Sequence, residues 1–107
     1  MKVKVPSKIQ VGSHTYTVKL SRQHLEDEDT RGIINYRTQE IVINAITPDS
    51  RKTTAFIHEI IHLSEKIFGI ILEEEEINRL CEGLGQGIFS SLGIELDWSK
   101  IEKTEES

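Results

Sequence analysis

The sequence predicts an α+β domain, because strand-like segments fill its first half and helical segments its second. Two patterns carry this prediction. Residues 8–44 hold short runs rich in Val, Ile, Thr and Tyr, separated by turn residues. Residues 47–92 instead repeat apolar side chains every three or four positions. A length of 107 residues makes this one domain, able to bury a modest core. The expected architecture is an antiparallel or mixed sheet of about three to four strands, then a helix over residues 47–68 and a second long helix over residues 73–92.

Each element has a local cause. Lys8-Ile-Gln-Val11 and His14-Thr-Tyr-Thr-Val-Lys-Leu20 flank Gly12-Ser13, which reads as a hairpin with a short turn. Ser21 to Thr30 is polar and acidic, a loop or a single helical turn. Gly32-Ile-Ile-Asn-Tyr-Arg37 and Glu40-Ile-Val-Ile-Asn44 form a second hairpin, turning at Thr38-Gln39. Thr47-Pro48-Asp49-Ser50 is a helix start, with Thr47 as cap and Pro48 in the first helical position. Gly69 supplies the stop. Apolar residues at 56, 57, 60, 61, 63 and 67 wrap most of this helix, so it belongs in the middle of the domain.

The second helix carries a stripe of Ile77, Leu80, Cys81, Leu84, Ile88 and Leu92, with Gly93 past its end. Glycines at 83, 85 and 87 weaken it, each by up to about 1 kcal/mol relative to Ala. Trp98 and Ile101 can pack back on the domain, and the polar tail from Glu102 is expected to fray.

Composition narrows the function classes. A net charge of −5 without any cluster of Lys and Arg argues against a nucleic-acid partner. No run of apolar residues is long enough to span a membrane. Met1-Lys-Val-Lys-Val-Pro6 does not read as a signal peptide. Cys81 is the only cysteine, so no internal disulfide is possible. A cytoplasmic protein is the expectation.

The chemistry concentrates in Phe56-Ile-His-Glu-Ile-Ile-His62, where three polar side chains interrupt an apolar helix. His58 and His62 are four positions apart and therefore lie one turn apart on the same helix face. Two imidazoles so placed can take two corners of a tetrahedral Zn2+ site. Glu59 sits beside that face, where it could act as a base toward a water on the zinc. The bland alternative, two core histidines and a local ion pair, leaves three adjacent polar groups each needing its own partner in an apolar setting.

A catalytic zinc wants a third protein ligand. No histidine follows His62, and Glu73-Glu-Glu-Glu76 opens the second helix. Acidic residues also suit a helix N-terminus on electrostatic grounds alone. With about 100° per residue, Glu74 and Glu73 fall on the side of the apolar stripe while Glu75 falls on the solvent side. An inward carboxylate without a cation would be costly. The order of preference is Glu74, then Glu73, then Glu75.

H-E-x-x-H on one helix with a Glu from the next resembles the gluzincin group of zinc metallopeptidases. Over residues 8–95 the chain looks like small metallopeptidase-like proteins of phages and mobile elements, related to the ImmA/IrrE type and the minimal gluzincins. In that type the third ligand opens a motif E-x-x-A-N. Glu74-Glu-Glu-Ile77-Asn78 is similar, with Ile in place of Ala, and this favours Glu74. The resemblance implies a zincin-like fold and a zinc-dependent enzyme that hydrolyses peptide bonds in a peptide or protein substrate. His58, His62 and Glu74 would hold the metal, and Glu59 would be the catalytic base. Tyr36, His14 and His24 are candidate donors to the developing oxyanion. A substrate could add as a strand along Ile41-Val-Ile43.

Two other readings compete with the enzyme. One is a zinc-containing domain that binds a partner without cutting it. The other is a metal-free α+β interaction module. Glu59 favours the enzyme, because a purely structural site has no use for a base.

Overall fold

Val18 and Leu20 alternate with polar neighbours, and this alternation organises the sheet around one buried face. A computed structural model describes residues 1–21, 32–101 and 103–104. Strands β1 (Lys2–Lys4), β2 (Lys8–Val11), β3 (His14–Ser21), β4 (Gly32–Asn35) and β5 (Glu40–Asn44) precede helices α1 (Asp49–Phe68) and α2 (Glu74–Leu84). A π-helical segment, Gly85–Ser90, continues α2, and β6 (Glu95–Asp97) and β7 (Lys103–Thr104) come after it. The molecule is an α+β domain with a mixed sheet, as the order of the elements predicts.

The two predicted hairpins are present, β2 against β3 and β4 against β5. They join through a parallel pairing of β3 with β5, in which Val18 lies opposite Ile41 and Leu20 opposite Ile43. The sheet order is β2-β3-β5-β4, with β7 also on β3. Tyr16, Val18, Leu20, Ile41 and Ile43 bury one face of the sheet against Ala55, Phe56 and Leu63 of α1. Trp98 and Ile101 close this core, Trp98 meeting Phe56 edge-on at 5.5 Å between ring centroids.

The sheet is larger than expected. β1 pairs in parallel with β6 as a separate two-stranded sheet. The tail does not simply fray, since Lys103 and Thr104 pair in parallel with Leu20 and Ser21. These strands are short and largely polar, so they carry no alternation; their pairing comes from backbone partners elsewhere in the chain. Ile41–Ile43 is not an edge. β5 is paired on both sides, which blocks strand addition there, and among the described residues β2 and β4 stand at the two ends of the order, β4 on the β5 side.

Local chemistry also sets the element ends. The Asn35 carboxamide oxygen accepts from the N–H groups of Arg37 (3.0 Å) and Thr38 (3.1 Å), which turns the chain two residues earlier than the strand expected to Arg37. The acidic segment from residue 22 lies outside the described residues. Pro48 occupies the N-cap position with extended ψ, not the first helical position, and Thr47 does not cap. The Thr47 hydroxyl instead donates to Asn44 O at 2.9 Å, and the buried Lys52 ammonium donates to Thr47 O at 2.7 Å. Gly69 ends α1 in the left-handed region, φ 70°, as predicted.

The stripe expected on the second helix is only partly inward. Ile77 and Cys81 are buried with Ile57, and Phe89 packs against them. Leu80, Leu84, Ile88 and Leu92 are exposed, Leu92 by 64%. A π turn takes one residue more than an α turn, so it rotates the residues beyond it by about 100°. That rotation brings Phe89 inward and carries Ile88 outward; Leu80 and Leu84, which precede the π turn, are exposed without it. No helix among the described residues is long and apolar enough to cross a membrane.

Candidate metal centre

The i, i+4 spacing on α1 puts His58 and His62 side by side, with Nε2 atoms 3.1 Å apart and rings tilted by 60°. α2 starts opposite them. One carboxylate oxygen of Glu74 stands 3.1 Å from His58 Nε2, and the other 3.8 Å from His62 Nε2. One potential ligand atom from each of these residues lies within 4.8 Å of the other two.

The donor set suits zinc. Two ligands about 2.05 Å from an ion, at a tetrahedral angle, lie about 3.3 Å from each other. The imidazole pair and the His58–Glu74 contact, both 3.1 Å, lie near that value; the 3.8 Å contact to His62 Nε2 is made by the other Glu74 oxygen. Two imidazoles and one carboxylate would supply three ligands to an ion held there.

The structure separates the four consecutive glutamates. Glu73 and Glu76 form a capping box at the start of α2, in which Glu73 N–H donates to the Glu76 carboxylate at 2.8 Å. Glu75 pairs with Arg79 at 3.1 Å in solvent. Glu74 alone of the four joins the histidines.

Glu59 is buried, with 8% of its surface exposed. Burial pushes its carboxyl above the ordinary carboxylate range; the neighbouring His62 opposes this and Glu74 adds to it. Gly32 of β4 lets the edge strand pass close by. A Cβ there would lie 3.0 Å from Ile43 Cδ1 and 3.3 Å from Glu59 Cγ.

Sequence reasoning missed Glu65. Its carboxylate takes His62 Nδ1 at 2.9 Å and accepts the Leu72 N–H at 2.8 Å. A carboxylate in this role needs a proton on Nδ1, which leaves the Nε2 lone pair of His62 facing His58 and Glu74. The same contact ties the turn between the helices to α1, two residues before Glu74. The signal was present: Glu65 lies three residues after His62 on the same helix face.

Tyr36 lies outside the cluster, in the turn after β4, with the Lys66 ammonium 4.9 Å from its ring centroid. Burial raises its pKa, and Glu59, Tyr16 and Glu65 raise it further. His14 is exposed at the start of β3 and is not part of the cluster. His24 lies outside the described residues. Cys81 is a buried core residue whose thiol pKa is pushed up by burial and by Glu59 and Glu74.

No protein-family model, curated protein or solved structure matches the chain.

Proposed function

We propose that the chain is a small zinc-dependent metallopeptidase-like enzyme of the gluzincin kind, hydrolysing peptide bonds. The observation that carries this is the convergence of His58, His62 and Glu74 from two helices, with the buried Glu59 beside them. His58 and His62 would hold the ion through Nε2 and Glu74 through its carboxylate. Bound there, zinc supplies Lewis acidity toward a carbonyl oxygen and toward water.

The remaining work falls to the chain. Glu59, its proton affinity raised by burial, takes a proton from the attacking water and returns it to the leaving amine. Glu65 fixes the tautomer and ring orientation of His62. Tyr36 is the candidate donor to the oxyanion, its hydroxyl pKa raised by burial first and then by Glu59, Tyr16 and Glu65. An extended peptide can add to β4, the edge strand that passes Glu59 at Gly32.

A metal-free module is the second reading, because 3.1 Å is also a hydrogen-bond distance between imidazole nitrogens and a carboxylate. Zinc content separates the two. One equivalent retained after purification or reloading supports the centre, and none after reloading removes it. Cleavage of a peptide library by the wild type but not by a zinc-loaded Glu59→Gln variant supports the enzyme. Zinc-loaded wild type that cuts nothing leaves a zinc domain without catalysis.

A further inference from the structure

A cleft of about 470 Å³ opens between the N-terminal half of α1 and the π-helical segment, with β6 at its far end. None of His58, His62, Glu74 and Glu59 lines it, but it is built on the same two helices. Thr54 and Ile57 line it one turn and one residue before His58, and Cys81 lines it two turns after Glu74. Its volume is in the range of small-ligand sites, about 300–1,000 Å³, and exceeds what one side chain needs.

The floor is apolar, made by Ile57, Cys81, Phe89 and Leu96. The rim carries the carboxylates of Asp49, Glu82 and Glu95 against one ammonium, Lys2. Asp49 is paired with Lys52 at 3.1 Å, and Glu95 lies opposite Lys2 in the β1–β6 register. Neither Glu82 nor Glu95 has an ion-pair partner among the described residues, and Glu82 is the one on the helical wall beside Cys81 and Gly85. The π turn helps build the wall: it brings Phe89 to the floor, and Gly85 leaves the wall without a side chain.

We infer that this cleft binds a short stretch of peptide carrying a Lys or Arg side chain, its charge held at Glu82. This rests on the peptidase reading for its role as a substrate site. A long basic side chain fits both surfaces, its methylene stem on the apolar floor and its head at the acidic rim. A purely apolar occupant would desolvate Glu82 without compensation, and an acidic one would meet the unpaired carboxylates of Glu82 and Glu95.

The test is binding to the full chain without added metal, read by amide chemical shifts. The probes are the blocked tripeptides acetyl-Ala-Arg-Ala-amide, acetyl-Ala-Leu-Ala-amide and acetyl-Ala-Glu-Ala-amide. The Arg peptide is expected to shift Thr54, Phe89 and Leu96 saturably, at least about fivefold more tightly than the Leu peptide, with Glu82→Lys removing that preference. Gly85→Leu is expected to abolish binding by filling the cleft. Gly85 has helical φ and ψ, and a Cβ there meets nothing within 4 Å, so the substitution adds neither backbone strain nor a Cβ clash, and an unchanged amide spectrum outside the cleft checks that the variant folds. Equal or tighter binding of the Leu or Glu peptide, or no saturable binding by any probe, overturns the inference. Because no metal is needed, the cleft can stand while the peptidase reading falls. A cleaving enzyme indifferent to these probes would leave the peptidase reading and remove the cleft.

Discussion

The Glu65 carboxylate stands 2.9 Å from His62 Nδ1, and its second oxygen holds the backbone N–H of Leu72 at 2.8 Å. One side chain thus orients a candidate ligand on α1 and anchors the turn that delivers Glu74 on α2. Glu65→Ala is expected to weaken zinc affinity by about 10–100-fold, the usual cost of losing such an outer carboxylate. Competition against a chelator of known affinity measures this. Unchanged affinity would show that His62 needs no partner on Nδ1.

The neighbouring glutamates should behave differently from one another. Glu74→Ala is expected to lower bound zinc below one equivalent with little change in fold. Glu73→Ala should keep its zinc and lose about 1 kcal/mol of stability, because it opens the capping box. Glu75→Ala removes only an exposed pair with Arg79, worth about 0.5 kcal/mol or less. Zinc analysis beside urea unfolding reads all three, and zinc retained in Glu74→Ala would refute its role as a ligand.

Two glycines predict opposite signs. Gly12 has φ 62°, and a Cβ there would lie 2.9 Å from Ile67 Cγ2, where the first hairpin meets the end of α1. Gly12→Ala should destabilise by about 1–2 kcal/mol from the left-handed backbone, before any clash. Gly83 lies within α2 with nothing near its Cβ, so Gly83→Ala should stabilise by about 0.5–1 kcal/mol. Denaturant midpoints decide both.

Lys19 on β3 reaches Glu40 on β5 at 2.9 Å. Its hydrogen bond holds the Glu40 carboxyl below the ordinary carboxylate range, with the Lys19 charge and a bond from Thr38 helping against partial burial. A carboxyl whose pKa is lowered by folding contributes stability above its unfolded value of about 4.3, and loses it as pH falls through the folded value. Glu40→Gln should therefore cost about 0.5 kcal/mol at neutral pH, and the difference from wild type should close in acid. A gap that persists at low pH would assign the effect to packing.

Much of this arrangement is legible in the sequence because it rests on neighbours along the chain. His58 and His62 share a face for the same reason that Glu65 reaches His62: spacings of four and three bring helical side chains together. Helix phase narrows the third partner to Glu74 or Glu73, since an α turn at the start of α2 is regular. Past Gly85 that phase fails. A π turn cannot be anticipated from apolar spacing, so regular phase puts Ile88 rather than Phe89 on the inner face.

The sequence by itself determined the two hairpins, the helix stops at Gly69 and Gly93, and the paired imidazoles, because each depends on backbone preferences and contacts within a few residues. Only the tertiary structure decided which glutamate meets the histidines, that β4 rather than β5 forms the edge, and that a cleft opens beyond Ile57. Those outcomes depend on how α1 packs against the sheet and α2. That packing is set by burying side chains far apart in the chain, which no local pattern encodes.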